Sequence, residues 1–368
     1  MSRRTNRVVV GMSGGVDSSV AAGLLKEQGM DVIGITIKTY RYEDVGGNVG
    51  NDSSCCSLDG INDARKVAMT LGFPHYIVDW TSSFKDEIIN YFIDDYLAGN
   101  TPNPCTRCNR LIKWEQMLNK ADALGAEYIA TGHYAEIMHD TVTGRYWIRQ
   151  SADAVKDQSY MLWGVRQEHL ARTIFPLSGF TKSRSRSEAE RLGLHISKKG
   201  ESFEICFITD NDYRRFLREA TGADAFRGGD IVRNGHVIGR HEGYPYYTIG
   251  QRRGLGISAP EPLFVLDVIP STNTVVVGTE QELYHNTLLA KDVNLLKYAT
   301  LTEPRTFTVK VRYRDKGALA TCRMTENNML HVRFHEPRKA IARGQSVVMY
   351  EDQDVVGGGV IVSSFDER

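Results

Sequence analysis

The stretch Val8–Ala22, VVVGMSGGVDSSVAA, decides how the first third of this chain folds. Its opening valines predict a buried strand, Ser13–Gly15 predicts a tight turn, and Asp17 begins an amphipathic helix that Gly29 ends. In a unit of strand, glycine turn and helix, backbone N–H groups converge on an anion and the helix dipole supports its charge. The sequence therefore predicts a loop that binds phosphate groups.

Three other glycine-loop motifs fit this stretch less well. A nucleoside-triphosphatase P-loop requires a lysine after its last glycine, and this loop has none. In a dinucleotide-binding fingerprint, Ser13 would occupy the place of the second glycine. A nucleophile elbow matches Gly11–Gly15, but it would follow the first strand and leave Asp17 without a role. The elbow and a purely structural turn stay open as alternatives.

The residues SGGVDS, 13–18, are similar position for position to the SGGxDS signature of the ATP pyrophosphatase (PP-loop) superfamily. Members of this superfamily split ATP into AMP and pyrophosphate, and they adenylate an oxygen to make it a leaving group. The resemblance implies that the phosphate predicted at this loop belongs to ATP.

The composition indicates an ordinary globular protein. Its 368 residues suffice for two or three domains, and 45 basic residues balance 45 acidic ones. Any nucleic-acid surface must therefore be a local patch. No apolar run approaches the length of about 18 residues that a membrane span needs, and we expect a cytoplasmic protein without a membrane partner. The six cysteines are then reactive, metal-binding or buried, rather than a disulfide framework.

Strands and helices alternate over the first third of the chain, which predicts an α/β fold with a doubly wound, Rossmann-like parallel sheet. The expected strands are 8–10, 32–37, 75–79 and 128–131, and the expected helices are 17–28, 59–71, 84–97 and 110–124. In such sheets ligands bind beyond the carboxyl ends of the strands. The loop at 13–19 and Gly132 both fall there.

From about Gly228 the pattern changes to short strands and tight turns. Asn234-Gly235 predicts a hairpin, as does Thr143-Gly144 earlier in the chain. Thr306–Arg314 alternates apolar and polar residues, with Tyr313 on the apolar face, and predicts a barrel strand. We expect a PP-loop catalytic domain at 1–222, a small β-rich domain at 223–290 and an antiparallel β-barrel at 291–368.

A C-x-x-C pair, Cys105 and Cys108, stands at the start of a predicted helix, behind two prolines. A helix N-terminus favours the thiolate form, and a third cysteine, Cys206, lies in an apolar run. Four interpretations stay open: a zinc site completed by His133 or His75, a redox pair, inert buried thiols (which suit Cys55, Cys56 and Cys322 best), and sulfur chemistry. Sulfur chemistry would mean either persulfide exchange or an iron–sulfur cluster.

Taken together, the phosphate loop and the cysteines resemble the tRNA-specific 2-thiouridylase (MnmA) family along essentially the whole chain. The matching stretches are GMSGGVDSSVAA, CCS…DAR, TPNPCTRCN, ATGHYA, KDQSYML, ICFI, YTIGQRRGLGI and VRYRD. The resemblance implies ATP-dependent adenylation of the C2 oxygen of the wobble uridine of tRNA, followed by replacement of that oxygen with sulfur. It also implies tRNA and a sulfur donor as partners. We further expect Mg²⁺ to neutralise the pyrophosphate, and a monomer.

The resemblance assigns roles to residues of this chain. It implies ATP contacts at Gly11, Met12, Ser13, Gly14, Gly15, Val16, Asp17, Ser18, Ile37 and Gly132. It implies tRNA contacts at Asn103, Pro104, Cys105, Lys156, Asp157, Gln158, Arg312 and Tyr313. Cys108 corresponds to the nucleophile and Cys206 to the persulfide carrier; Asp17 and Cys105 complete the catalytic set.

Cys105 departs from the family pattern, because many members carry aspartate there. Cys105, Cys108 and Cys206 could instead hold a [4Fe–4S] cluster whose open iron binds a sulfide. Cys206 would then be a ligand rather than a persulfide carrier. Two rival functions also stay open: a PP-loop ligase that adenylates a small metabolite, and a non-catalytic RNA-binding or iron–sulfur protein.

Overall fold

A computed structural model describes residues 4–40, 58–200, 205–208, 210–222 and 226–367. The chain divides into two compact units, each with its own core. The first comprises Met1–Ile88, Cys105–Asp212 and Gln353–Val355, and the second comprises Ile89–Pro104, Tyr213–Asp352 and Val356–Arg368. The domain boundaries after residues 222 and 290 stay a prediction.

The strands of the amino-terminal half are β1 (Arg4–Gly11), β2 (Asp31–Lys38), β3 (His75–Asp79), β4 (Ala126–Ala130), β5 (Glu136–His139), β6 (Tyr146–Arg149) and β7 (Thr173–Ile174). The helices are α1 (Val16–Glu27), α2 (Leu58–Leu71), α3 (Thr81–Phe84), α4 (Asn90–Leu97), α5 (Pro104–Cys108), α6 (Met117–Ala123), α7 (Gln167–Leu170) and α8 (Lys182–Arg191). Within the described ranges, the helices are too short or too polar to cross a bilayer.

The first unit is built on a five-stranded parallel sheet in the order β3-β2-β1-β4-β7. Val8 pairs with Val32 of β2 on one side and with Tyr128 of β4 on the other. The strand order reverses between β1 and β4, which creates the crevice in which open α/β sheets bind ligands. The α/β prediction is confirmed.

The core of the first unit fixes the end of β1. Val8 and Val10 are fully buried, and they pack with Val20 of α1 and Val67 of α2 in one apolar cluster. Burying each such side chain contributes about 1.5–3 kcal/mol. The loop that leaves β1 therefore starts from a rigid strand and enters a rigid helix.

The second unit contains helix α9 (Tyr213–Thr221) and a four-stranded sheet. Its strands are β8 (Gly229–Arg233), β9 (His236–His241), β10 (Phe264–Ile269) and β11 (Thr274–Gly278), in the order β10-β11-β8-β9. Asn234 and Gly235 join β8 to β9 with φ values of 49° and 78°. Two left-handed residues are what a two-residue hairpin of this type requires, so the predicted turn is confirmed.

The carboxyl-terminal strands form a closed six-stranded antiparallel barrel. They are β12 (Tyr284–Leu295), β13 (Arg305–Lys310), β14 (Ala318–Met324), β15 (Leu330–Lys339), β16 (Ser346–Glu351) and β17 (Asp354–Phe365), in the order β12-β15-β14-β13-β16-β17. Pairing of β12 with β17 closes the barrel. Phe307, Val309 and Val332 lie in its buried core. The prediction of a terminal barrel is confirmed.

One predicted strand is too long. Thr306–Arg314 was expected to run as one strand, but β13 ends at Lys310, and Tyr313 is 37% exposed instead of facing the core. The carboxylate of Asp315 accepts the backbone N–H of Val311 at 3.1 Å. This side-chain bond takes a donor that the sheet would need, so the chain turns there.

The helix predicted over 110–124 begins earlier than expected. It starts with α5 at Pro104, continues through a π-helical stretch, Asn109–Gln116, and ends with α6. Proline is suited to the start of a helix, because its φ is already helical and its missing N–H would have no helical partner. Cys105 and Cys108 therefore both lie in the first helical turns.

Candidate active site at the loop after β1

The loop after β1 is fixed by close backbone packing. Gly14 has φ +72°, and a Cβ there would lie 2.0 Å from the carbonyl oxygen of Gly60 in α2. Within the loop, the Ser13 N–H donates to Oγ of Ser18 at 3.2 Å. Only glycine fits at position 14, and the turn is tied to the first turn of α1.

Backbone donors are available at the start of α1. In the described part of the chain, the N–H groups of residues 14–17 have no hydrogen-bond partner within the protein. Gly15, the residue before the helix, is extended (φ −94°, ψ 170°), and no side chain caps the helix. Unpaired N–H groups at the positive end of a 12-residue helix can bind an anion.

A lysine contacts Asp17 at the edge of this loop. Nζ of Lys182, the first residue of α8, lies 2.7 Å from both carboxylate oxygens of Asp17. The Tyr134 hydroxyl donates to the same carboxylate at 2.7 Å. The Lys182 and Asp17 side chains are only 14% and 31% exposed. The loop edge therefore carries a half-buried ion pair in which the lysine provides a positive charge.

Sequence reasoning missed Lys182. Its neighbours identify a helix start, because the Thr181 hydroxyl accepts the N–H of Arg184 at 3.3 Å as a cap. No local pattern shows that the lysine reaches Asp17, since 165 positions separate the two residues. The available signal was a lysine immediately after a capping threonine, at the start of a helix rich in arginine.

Ile37 and Gly132 lie at the same edge of the sheet as the loop. Ile37 is near the end of β2 and pairs with Val78 of β3, and Gly132 follows β4. A Cβ on Gly132 would lie 2.5 Å from the backbone nitrogen of Ser18. The structure thus brings the predicted ATP-contacting positions together at the ends of three neighbouring strands. Their contacts with ATP stay a prediction.

Gly132→Ala should weaken ATP binding by about 10-fold or more, because the added methyl group pushes directly against the backbone at the start of α1. Gly179→Ala is the matched control, since a Cβ there has nothing within 4 Å and its φ is also not left-handed. Titration calorimetry with ATP on both variants measures the effect. Equal affinities in the two variants would contradict the close approach.

The three cysteines of interest differ in exposure. Cys105 is exposed, Cys206 is half-buried and Cys108 is buried; none of them forms a disulfide. Next to Cys206, the buried Phe207 packs edge-on against Phe84 with ring centroids 5.8 Å apart. The Cys206 segment is therefore anchored in the first unit, which also contains the other two cysteines.

Hydrogen bonds from its neighbours hold the C-x-x-C helix in place. Arg107 donates to the backbone carbonyl of Glu87 at 2.7 Å and to the Glu87 carboxylate at 2.8 Å. The Asn109 amide donates to the carbonyl of Met161 at 2.9 Å. Both contacts come from elements distant in sequence, so the position of Cys108 is set by tertiary structure.

Whether three thiolates hold a cluster stays a prediction. Among the described residues, no group of three or more His, Cys, Asp or Glu side chains lies close enough to share a metal ion. Cys105, Cys108 and Cys206 are all described, so they are not assembled as ligands in this structure. The zinc interpretation, with His133 or His75 as fourth ligand, likewise has no such group among the described residues and stays a prediction.

Alkylation should separate the cysteines by exposure. Burial raises the pKa of the Cys322 thiol to about 12, so almost none of it is thiolate at pH 8. We expect iodoacetamide to modify Cys105 within minutes and to leave Cys322 unmodified in the folded protein, as read by peptide mass spectrometry. Cys55 and Cys56 lie outside the described residues. Rapid labelling of Cys322 would contradict the barrel packing.

Two of the predicted tRNA contacts use their side chains inside the fold. The buried Asp157 accepts the N–H of Ser151 at 3.0 Å and the hydroxyl of Ser159 at 2.8 Å. Oε1 of Gln158 accepts the N–H of Tyr134 at 3.0 Å. Sequence motifs do not separate such loop-shaping residues from contact residues. Lys156 beside them is half-buried.

The remaining predicted tRNA contacts lie in two other places. Arg312 and Tyr313 are exposed in the turn after β13, rather than on the polar face of a strand. Asn103 is half-buried and precedes the buried Pro104 that begins α5. The tRNA-binding role of all these residues stays a prediction.

Three family models match consecutive parts of the chain. They are described as a tRNA methyl transferase HUP domain (residues 6–210), a tRNA methyl transferase PRC-barrel domain (214–279) and an aminomethyltransferase β-barrel domain (285–361). Among solved structures, a complex of a 4-thiouridine synthetase with RNA and bound ATP is 18% identical. It covers 58% of this chain and 50% of its own, with a TM-score of 0.38. That score is too low to support any conclusion.

Curated relatives match the whole chain. The tRNA-specific 2-thiouridylase MnmA of Salinibacter ruber is 50% identical and covers 98% of this chain and 95% of its own. The proteins of the same name from Cytophaga hutchinsonii (48%, 100% and 100%) and Clostridioides difficile (45%, 97% and 98%) are similar over the same extent. With this identity over its full length, the chain belongs to the MnmA family of tRNA-specific 2-thiouridylases.

Proposed function

We propose that this protein is an ATP-dependent sulfurtransferase that converts the wobble uridine of tRNA to 2-thiouridine in the cytoplasm. The observation that carries the proposal is the full-length similarity, up to 50% identity, to relatives named tRNA-specific 2-thiouridylase. The family descriptions instead speak of a methyl transferase. The full-length relatives are the stronger guide to the function. Thiolation and methylation leave different products on the base, so an experiment can separate them.

The loop after β1 supports the use of ATP. The N–H groups of residues 14–17 are unpaired among the described residues and suit the phosphates, and Gly132 and Ile37 lie at the same edge of the sheet. Lys182 adds a positive charge at the loop edge. Mg²⁺ would supply the remaining neutralisation of the pyrophosphate, and the Asp17 carboxylate would hold it on the loop in exchange for the contact with Lys182 that this structure shows.

Adenylation makes an unreactive oxygen into a leaving group. The C2 oxygen of uracil attacks the α-phosphorus of ATP, and pyrophosphate leaves. A sulfur nucleophile then adds to C2 and AMP departs with the former uracil oxygen. The base must first be unstacked from the anticodon, because neither step is feasible inside the stack.

The persulfide route accounts for two cysteines. The terminal sulfur of a Cys206 persulfide attacks C2, and a disulfide links C2 to Cys206 once AMP has left. The Cys108 thiolate attacks the Cys206 sulfur of that link, which releases thiouridine and leaves a Cys108–Cys206 disulfide. An external thiol then reduces this disulfide, and a sulfur donor recharges Cys206. We choose this route over the cluster because, among the described residues, no three His, Cys, Asp or Glu side chains form a group that could hold a metal ion.

Nucleoside mass analysis tests the proposal. Unmodified tRNA is incubated with the protein, a persulfide donor and Mg²⁺, with and without ATP, and compared with a tRNA whose wobble base is cytidine. We expect 2-thiouridine only with ATP and only at the wobble uridine. No thiouridine from competent tRNA would overturn the proposal, and a methylated base instead would favour the family description.

The same assay addresses the rival functions. A ligase for a small metabolite would release AMP without any RNA, whereas our proposal requires tRNA for stoichiometric AMP release. A non-catalytic RNA-binding protein would bind tRNA but leave ATP intact.

A further inference from the structure

Lys199 connects the loop after β1 to helix α2. Its Nζ donates to the backbone carbonyl of Gly14 at 3.2 Å and to the carboxylate of Asp63 at 2.7 Å. Nε2 of His195 lies 2.8 Å from the other Asp63 oxygen. Burial alone would raise the pKa of Asp63, but the hydrogen bonds from Lys199 and His195 hold it below its ordinary value. Asp63 is therefore a stable anion that positions the lysine.

The chain that carries Lys199 is anchored in the core. Leu194 and Ile196 are 4% and 2% exposed, and they belong to the apolar cluster that also contains Ala64 and Val67 of α2. The Lys199 N–H donates to the carbonyl of Ile196 at 2.9 Å. The side chains of Lys199 and Asp63 are 25% and 18% exposed. The ammonium group is thus held near the loop by packing as well as by charge.

The contact with Gly14 sets the direction of a phosphate-loop donor. In a trans peptide the C=O of one residue and the N–H of the next point in opposite directions. Because the Gly14 carbonyl points at Lys199, the Gly15 N–H points away from it. That N–H has no acceptor within the described residues. Glycine on both sides lets this peptide unit rotate more easily than other residues would, and the bond from Lys199 adds a restraint at its carbonyl oxygen.

We propose that Lys199 is a positioning residue that fixes the Gly14–Gly15 peptide with its N–H toward the phosphates of the nucleotide. This inference rests on the proposed use of ATP at this loop. If the peptide rotated, its carbonyl oxygen would face the phosphate oxygens and repel them. Lys199 acts from the opposite edge of the peptide unit, at its carbonyl oxygen, and does not itself touch the nucleotide.

Binding of three ligands to the full-length protein tests this role. Lys199→Met should weaken binding of ATP and of inorganic pyrophosphate by about 10-fold, equivalent to about 1.4 kcal/mol, and change binding of adenosine by less than about 2-fold. Lys198→Met is the matched control on the same segment, where the lysine is exposed, and should change none of the three affinities. Equal weakening of all three ligands in Lys199→Met would indicate general damage and overturn the inference.

Asp63→Asn separates positioning from direct contact. If Asp63 positions Lys199 on Gly14, this variant should also weaken pyrophosphate binding. If Lys199 instead binds phosphate directly, releasing it from Asp63 should tighten binding, which would overturn the inference. If Lys199→Met does not fold, as judged by its melting curve, Asp63→Asn provides the test instead. Failure of the wild type to bind ATP would overturn the proposed function itself, whereas unchanged binding in both variants would overturn only the role of Lys199.

Discussion

Cys108→Ser is expected to lower 2-thiouridine formation by about 10³-fold or more, because a serine hydroxyl cannot replace a thiolate in attack on a disulfide. ATP binding should be unchanged, since Cys108 lies on α5 and not on the loop after β1. Single-turnover thiolation followed by nucleoside mass analysis measures the loss. The side chains differ by one atom, so a folding defect is a poor explanation for such a loss.

Two further cysteine variants complete this experiment. Cys322→Ala, in the barrel core, should keep full activity. That result would show that the loss of 2-thiouridine formation is specific to Cys108. Cys105→Ala separates the sulfur routes: the persulfide route predicts measurable thiouridine, and a cluster with Cys105 as ligand predicts none. Full activity in Cys108→Ser would contradict the role proposed for that thiol.

Asp17→Asn is expected to reduce ATP-dependent thiolation by about 100-fold, because in the proposed mechanism this carboxylate would hold the Mg²⁺ that accompanies ATP. The variant also leaves Lys182 without its ionic partner. Because the pair is half-buried, we expect a loss of about 1–2 kcal/mol in the free energy of unfolding, which lowers Tm by a few degrees. Thermal melts and initial rates with saturating tRNA measure the two effects.

A double variant separates stability from function. Asp17→Asn combined with Lys182→Met removes both charges and should recover most of the lost stability, while thiolation stays low. Lys182→Met alone leaves the carboxylate without its cation and should weaken ATP binding. Recovery of activity in the double variant would mean that the pair serves the fold alone.

The sequence alone was enough to predict the structure wherever neighbouring residues determine it. The turn at Asn234-Gly235 needs two left-handed residues, and asparagine followed by glycine adopts them readily. The valine strand before Ser13 and the helix after it follow from apolar spacing. The order of the parallel strands then places the loop and Gly132 at one edge of the sheet.

The sequence was insufficient wherever distant contacts decide. Lys182 reaches Asp17 across 165 positions, and Lys199 reaches Gly14 across 185, with no local pattern to indicate either contact. Alternating residues suggested a strand through Tyr313, but the Asp315 carboxylate ends it. Such outcomes depend on which side chains become neighbours after folding.

The fate of the uracil oxygen tests the adenylation claim most directly. A tRNA labelled at the C2 oxygen of its wobble uridine with the heavy oxygen isotope is thiolated in a single turnover, and the AMP is analysed by mass spectrometry. Adenylation of the C2 oxygen predicts one labelled oxygen in the phosphate of AMP for each thiouridine formed. Label in inorganic phosphate or in water, with unlabelled AMP, would contradict it.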